Sequence, residues 1–403
     1  MNARAPWLHA TSTGTRLRPE TARLLARAHS PLTGISAALD TVVPSTDDPR
    51  RTLITGRIDQ HTAGIADSYD GAMTTALAET LERYALGTPR TALTASPHDL
   101  AGTRILTPPA LRYFTSEQLS TPGFPFTALS PDTPISWLPA RSLRDGTVAW
   151  VPAQTVVPTD EPAFTFTTSA GTAAHTGFPA ALRNAVLELI QTDAAMGTWF
   201  GATDPIPLDL NASPRTATSR QAVNRRLRRD GPSPRFYWLP APDLPAITVA
   251  CVLESPQVPT FAVGLACHTH LNRALYKAFL ECTAVTRLAT ALALRHRHVD
   301  PSQIYDLDSN VAYYATATPP AKFPATPGTT PDALPPDTTL NSIDIDIACI
   351  DLTPPDVRSL GYRVVRAYSP DLLPLTPPST PPEANPRLNA YGGLTNKAPH
   401  PYA

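Results

Sequence analysis

The sequence is short of the residues that usually staple or anchor a chain. Among 403 residues there are four cysteines, Cys251, Cys267, Cys282 and Cys349, none of them in a C-x-x-C pair. Their neighbours are apolar or helical, so core thiols in a reducing compartment are expected rather than a metal site. No uncharged apolar run approaches the roughly 18 residues that span a bilayer. The first residues lack a cationic region leading into an apolar core, so no signal peptide is expected either. A formal charge of −1 with very few lysines speaks against a surface made for nucleic acid. These absences leave a soluble, cytoplasmic protein. Its 42% hydrophobic residues suffice for a substantial core, as one large domain or two.

Proline is the one residue in excess, at 47. It clusters at 319–336 and 370–386, which read as polyproline-like connectors and are expected as ordered surface loops with mobile tips. Residues 1–50 carry no strong motif beyond a helical stretch from Thr21 with a basic face, either a partner contact or a packing helix. Residues 51–403 read as one domain with a proline-rich tail.

The stretch Thr168 to Gly201 organises the rest. It opens with Thr168, Ser169 and Gly171, a loop composition that brings backbone N–H groups close to a ligand. A helix is then predicted from Ala181, Leu182, Ala185, Val186, Leu189 and Ile190 at three- and four-residue spacing. Glu188 and Gln191 are three apart and leave the same helical face. Such an arrangement suits a phosphate with its magnesium; the plainer alternative is a buried amphipathic helix with a charge at its rim.

The stretch recurs. HTGFPAALRNAVLE (175–188) and HTHLNRALYKAFLE (268–281) share H-T-x4-A-L-x2-A-x-L-E without a gap. A weaker copy places Ala72, Met73, Ala76 and Glu79 at the same offsets. Three helices each carrying a glutamate at one offset imply a structural unit used three times. In the first copy Glu79, Glu82 and Arg83 form E-x-x-E-R at helical spacing, hard oxygen ligands of the kind magnesium takes one or two at a time. Arg83 either clamps a phosphate or pairs Glu79 one turn away. In the third copy Glu281 is a candidate acidic ligand, whereas His175 and His268 read as loop or cap residues.

Elsewhere, RTLITGRIDQ alternates like a strand and is followed by an expected loop from Gly64 to Gly71. Asp145-Gly146 marks a hairpin, with Trp137 and Trp150 in the core. The run Arg225, Arg226, Arg228 and Arg229 lacks aromatics for base stacking and is expected as a solvated helix face. SIDIDIACIDLT, from Ser342, is a period-two strand, and GYRVVRAYSP another, with Arg366 at its end.

Taken in order, these blocks resemble the YcaO family. They are A-L-x-E-x-x-E-R-Y (Ala76 to Tyr84), the T-S-x-G loop and its helix (Thr168 to Asp193), D-L-D-x-x-V-x-Y-Y (Asp306 to Tyr314), and D-L-T-P-P-D followed by G-x-x-V-V-R (Asp351 to Arg366). The resemblance runs from about Gly64 to the end. It implies a mixed α+β fold with glutamate-bearing helices around a nucleotide site. ATP and Mg2+ are the implied cofactors, with Glu79, Glu82, Glu188 and Gln191 at the metal and Ser169, Arg83, Glu281 and Arg366 at the ATP. The implied activity is cyclodehydration of a ribosomally made precursor peptide. A Cys, Ser or Thr side chain attacks the preceding carbonyl, ATP phosphorylates the oxyanion, and phosphate departs to leave a thiazoline or oxazoline.

The tail resembles that of azoline-forming members and implies a catalytic carboxylate at Ala403, held by Pro399 and Pro401. Implied partners are the leader-bearing peptide, a leader-binding protein like the ubiquitin-activating enzymes, and a flavin-dependent dehydrogenase, in an oligomer or hetero-complex. The chain departs from the family pattern at Ala170, Gln191 and Thr192, where members often carry Asn, Glu and Arg, and in the Gly64 loop. Two other readings stay open: a thioamide- or amidine-forming enzyme, and a catalytically silent scaffold.

Overall fold

A computed structural model describes residues 16–30, 32, 34–42, 52–57, 61–107, 113–227, 231–295, 300–324, 334–340 and 343–402. The chain folds as three successive units in which a strand leads into a long helix. The first contains α1 (Pro19–Ala28), β1 (Ala38–Val42), β2 (Thr52–Arg57), β3 (His61–Ala66) and α2 (Tyr69–Gly87). The second contains β4 (Leu93–Ala95), α3 (Ser116–Ser120), β5 (Ile135–Ser142), β6 (Val148–Pro152), β7 (Thr172–His175) and α4 (Phe178–Phe200). The third contains β8 (Ile206–Leu208), α5 (Ala217–Asn224), β9 (Arg235–Leu239), β10 (Ile247–Glu254), β11 (Phe261–His268) and α6 (Leu271–Arg295). After it come α7 (Leu307–Tyr314), β12 (Ala348–Asp351), α8 (Pro355–Ser359) and β13 (Arg363–Tyr368).

Each unit has its own antiparallel sheet: β1-β2-β3, then β4-β5-β12-β13-β7 with β6 on β5, then β11-β10-β9-β8. The chain therefore returns late, through β12 and β13, to complete the second sheet. Every long helix lies on the strand before it, α2 on β3, α4 on β7 and α6 on β11. Each also reaches the strand of another unit: α2 touches β7, α4 touches β11 and α6 touches β3. The three units thus close into a ring with their helices facing a common centre, which is what a repeated half-exposed helix needs to bury its apolar stripe.

Local chemistry explains the junctions. Ser68 caps α2 by accepting from Gly71 N at 3.1 Å, satisfying one orphan donor of the first turn. Asp337, from a distant loop, accepts from Leu271 N at 2.9 Å and caps α6. Glycine sets how closely helix and strand approach. A Cβ on Gly64 would lie 2.2 Å from the Ala72 carbonyl oxygen, and one on Gly264 2.0 Å from Cys282 N.

Several expectations change here. Gly64 to Ala66 are strand and Gly71 is helix, so the expected loop shrinks to a turn at Asp67 and Ser68; Gly64 serves close packing. The alternating run at Ser342 becomes strand only at Ala348, and Ser342 itself is outside the described residues. Its aspartates are drawn off to cations beside β5 and β6: Asp346 pairs Arg104 at 2.8 Å and Asp344 pairs Arg144 at 3.3 Å. Arg226 is buried rather than solvated, pairing Asp67 at 2.6 Å and lying over the Tyr276 ring. Arg225 is exposed, while Arg228 and Arg229 are outside the described residues. Residues 370–386 are mostly buried, including Leu372, Leu373, Thr376 and Thr380, so this proline-rich segment is an internal strap instead of a surface loop. The segment 319–336 is described only at its ends.

Other expectations hold. The Asp145-Gly146 hairpin joins β5 to β6, with Gly146 at φ 72°. Trp137 is fully buried, and all four cysteines are buried and free. No helix among the described residues is long and apolar enough to cross a membrane.

Candidate functional site

The ring carries its acidic residues to the centre. Glu79 and Glu82 come from α2, Glu188 from α4 and Glu281 from α6. Glu79 and Glu188, Glu79 and Glu281, and Glu82 and Glu188 each repel one another across units. The three copies therefore do bring their matching glutamates together. Two of them also tie the units to each other or to their strand: Glu82 accepts from Ala174 N of β7 at 2.6 Å, and Glu79 accepts from Ala63 N of β3 at 3.1 Å.

Solvent reaches all four carboxylates, and Glu281 is exposed by area. Protein nevertheless crowds them on most sides, as the walls of a cleft do, and desolvation dominates their titration. It pushes Glu188 up to about 7 against the pull of Arg366, Arg83 and Lys277. It raises Glu281 to about 6, again opposed by Lys277. Glu82 goes well above its ordinary value, through desolvation first and then the charges of Glu188 and Glu79. Glu79 is raised less, because Ala63 N and Arg83 offset part of the desolvation. Clustered, partly desolvated carboxylates are sites where a cation relieves the cost.

Cations surround them. Arg83 lies 3.6 Å from Glu79 one turn away, and its Nε is buried without a hydrogen-bond partner. Arg366 is buried on β13, and its Nε is also unpartnered. Lys277, which sequence reasoning passed over, is exposed on α6 beside Glu188 and Glu281. Its position one turn before Glu281, on the same helical face, was the available signal. Gln191 is half-buried on α4, one turn on from Glu188. Thr192 bonds back to the Glu188 carbonyl at 3.0 Å.

The T-S-A-G loop does not feed the helix directly, because β7 stands between them. It makes a turn in which Thr172 N donates to the Ser169 carbonyl at 2.9 Å, with Gly171 at φ 83°. A Cβ on Gly171 would meet the Ala367 carbonyl oxygen at 2.9 Å. Ser169 is half-exposed there. His268 ends β11 and accepts from His270 N at 3.0 Å, a loop cap as expected.

Asp193, the last residue of the second block, is structural. It is fully buried and accepts from Arg387, Tyr391 and Leu373 N. The end of the tail, His400 to Tyr402, is buried as well. Tyr314 on α7 donates to the Pro399 carbonyl, Asn310 donates to the carbonyls of His400 (2.8 Å) and Tyr402 (2.9 Å), and Trp199 donates to that of Ala398 (2.8 Å). Pro399 and Pro401 thus lie between α7 and the end of α4, while Ala403 is outside the described residues.

These residues fit an Mg–nucleotide. The carboxylates supply hard oxygen ligands, and the two unpartnered arginine nitrogens supply donors for phosphate. Among the described residues no three acidic, His or Cys side chains already converge as a metal cage. Magnesium commonly enters with the phosphates that complete its octahedron and takes one or two protein carboxylates.

A mixed α+β ring of helices with an acidic centre and unpartnered arginines defines a nucleotide-and-metal class of protein. The chain belongs to the YcaO family: the profile described as YcaO cyclodehydratase, ATP- and Mg2+-binding, matches residues 63–373. ATP and Mg2+ are the cofactors of that family.

Three solved structures share the fold. A heterocyclase in complex with substrate and cofactor superposes with TM-score 0.70 at 16% identity, covering 95% of this chain and 57% of the other. This chain therefore spans a little over half of that heterocyclase. The E. coli microcin synthetase McbBCD complex with pro-MccB17 bound gives TM-score 0.64 at 13% identity, covering 93% and 98%. The Methanopyrus kandleri YcaO bound with AMPPCP and Mg2+ gives 0.55 at 16% identity, covering 87% and 88%. No curated protein sequence matches the chain.

Proposed function

We propose that this chain is the ATP- and Mg2+-dependent cyclodehydratase subunit of a complex that forms azolines in a ribosomally made peptide. The observation that carries the reading is the meeting of Glu79, Glu82, Glu188 and Glu281 from three helices with Arg83 and Arg366, whose Nε atoms lack partners. An amide oxygen is a poor leaving group, and ATP with its magnesium supplies the phosphoryl group that turns it into a good one. The chain's own part is to position and to neutralise charge. Glu79, Glu82 and Glu188 hold the metal, with Gln191 offering an uncharged oxygen, and Ser169 and Gly171 bring backbone close to the phosphates. Arg83, Arg366 and Lys277 offset charge on the transferring oxygens. The resemblance assigns the base to the tail at Ala403, with Pro399 and Pro401 limiting its freedom.

The partners proposed are a leader-bearing peptide, a leader-binding protein like the ubiquitin-activating enzymes and a flavin-dependent dehydrogenase, acting together in the cytoplasm. A McbBCD complex with a bound pro-peptide shares the fold, which supports a multisubunit setting. Gln191 and Thr192, where charged groups are common in the family, favour the silent scaffold as the second reading.

Titration calorimetry separates the two. Mg–ATP is expected to bind the wild type in the presence of its partner subunit, and Glu79→Gln and Glu188→Gln to weaken it at least about tenfold each, the scale of a disturbed metal shell. A wild type that binds no nucleotide leaves the scaffold. Product mass then decides the chemistry: one water lost per modified residue marks a ring, whereas a gain in mass by oxygen-to-sulfur exchange marks a thioamide.

A further inference from the structure

Of the arginines that follow α5, Arg226 turns inward and is only 6% exposed. Its Nε donates to Asp67 Oδ1 at 2.6 Å and its Nη1 to the Ala222 carbonyl at 3.0 Å. The Tyr276 hydroxyl of α6 donates to the same Asp67 oxygen at 2.5 Å. The guanidinium also lies over the Tyr276 ring, 5.3 Å from its centroid. Asp67 belongs to the first unit, Arg226 and Tyr276 to the third. One carboxylate oxygen thus joins two units of the ring.

Both sides of this junction run directly into the acidic centre. Asp67 lies in the turn between β3 and α2, followed by the cap residue Ser68, and α2 carries Glu79 and Glu82. Tyr276 is followed by Lys277 and stands five residues before Glu281 on α6. Lys277 attracts Glu188 and Glu281, and Glu79 repels Glu281. The third unit has ties of its own that leave Asp67 out. Ser219 of α5 donates to Asn272 Oδ1 of α6 at 2.6 Å, and Asn272 Nδ2 donates to the Arg215 carbonyl at 2.6 Å. A buried ion pair adds little net stability over apolar packing of similar volume. What a planar guanidinium and a shared acceptor oxygen do add is direction, because their bonds weaken steeply away from good geometry. Such a pair at a joint between units sets geometry more than it sets stability.

We propose that Arg226, acting through Asp67 and Tyr276, is a positioning residue that fixes α6 against α2, so that Lys277 and Glu281 face Glu79 across the acidic centre. Unlike Arg83 and Arg366, it is committed to a protein carboxylate. The proposal rests on the function proposed above only for what the centre holds; the placing of the helices stands apart from it.

Two measurements on the full chain test it. Spin labels on cysteines introduced at Thr75 of α2 and Thr290 of α6, both exposed, report the separation of the helices by double electron–electron resonance, since the four native cysteines are buried. Calorimetry with Mg–β,γ-imido-ATP on the unlabelled chain reports the centre. In Arg226→Gln the distance distribution is expected to shift or broaden by about 1–2 Å, the scale of helix shifts at interfaces. Mg–nucleotide affinity is expected to fall about tenfold, the scale of a lost partner behind a ligand. Asp67→Asn combined with Arg226→Gln removes both charges, keeps hydrogen-bonding groups, and should recover most of both losses. Tyr276→Phe takes the place of Arg226→Gln if that variant does not fold, with the same expected direction. A distance unchanged in the single variants overturns the proposal, and a double variant no better than Arg226→Gln overturns the part given to Asp67. Where the wild type binds the nucleotide, a changed distance with unchanged affinity also overturns it, whatever the denaturant midpoint does. A wild type that binds no Mg–nucleotide, with variants that still change the distance, keeps the positioning role and defeats the nucleotide reading instead.

Discussion

At the acidic centre, burial and like charge act in one direction on the carboxylates. Glu188 rises from 4.5 to about 7 in the metal-free protein. Its ionised form is thus disfavoured by the fold, and the cost is absent below about pH 4.5, grows through the interval and is complete above about 7. Magnesium takes the ionised form, so its binding releases a proton from this group near neutrality. Mg–nucleotide affinity is expected to strengthen from pH 6 to 8, with proton release measurable as a buffer-dependent binding enthalpy. Glu188→Gln should flatten both, and an affinity independent of pH in the wild type would remove Glu188 from the metal.

Asp193 gives the contrasting residue-scale case. Its Oδ2 lies 2.9 Å from Arg387, with the two side chains 0% and 9% exposed. Asp193→Ala leaves a buried cation unpaired and is expected to cost about 3–5 kcal/mol, read from the denaturant midpoint. Neither role is visible from residue type alone. Glu188 and Asp193 stand five apart in one helix block, and what separates a carboxylate of the acidic centre from a buried strut is which neighbour meets each.

At the scale of elements, the unit is a strand, a tight turn and a helix whose glutamate sits at a constant offset. The helices were legible from apolar spacing, and the copies from the A-L-x2-A-x-L-E core shared by two of them and the alanines and glutamate that the first copy keeps at the same offsets. The strand at Ala348 was overextended because alternation marks side-chain direction only where a partner strand exists. Asp344 and Asp346 instead meet Arg144 and Arg104. The stretch from Gly64 to Gly71 reads as a loop because a glycine that opens a loop and one that lets a helix pack close on a strand look the same in sequence. Gly264→Ala puts a methyl 2.0 Å from Cys282 N, so α6 must move off β11. Overpacking of this kind costs about 1–3 kcal/mol. Glu281 moves with its helix, so both the denaturant midpoint and Mg–nucleotide affinity should fall. An unchanged midpoint would show that the helix does not rest on this glycine.

At the scale of the whole molecule, the tail joins distant parts. Its backbone is held by α4 and α7, and His400 sits fully buried with Nε2 donating to the Thr376 carbonyl at 2.9 Å. Burial depresses His400 to about 4 from 6.5, with the Thr376 bond working the other way. A histidine kept neutral by the fold contributes stability above its unfolded value, which is lost as the pH falls from about 6.5 to about 4. Acid is therefore expected to loosen the tail: proteolysis with an acid-active protease should cut near Lys397 faster at pH 4.5 than at pH 5.5. His400→Gln, which cannot take the proton, should remove that difference. An unaltered difference in His400→Gln would assign the acid response elsewhere.

The sequence by itself determined the three repeated helices and the glutamates they carry, because these rest on local spacing that a helix converts directly into a face; the family and its class of fold followed from the resemblance of ordered blocks. Tertiary structure decided which faces meet. The ring brings Glu79, Glu82, Glu188 and Glu281 of three distant helices within electrostatic reach, adds Lys277 to them and buries Arg226 and the strap at 370–386. It also buries Arg366 among the neutral acceptors of Thr155, Thr168 and Thr172. Those outcomes depend on how helices cross strands of other units and on what each side chain finds there, information carried by packing and absent from any single stretch of chain.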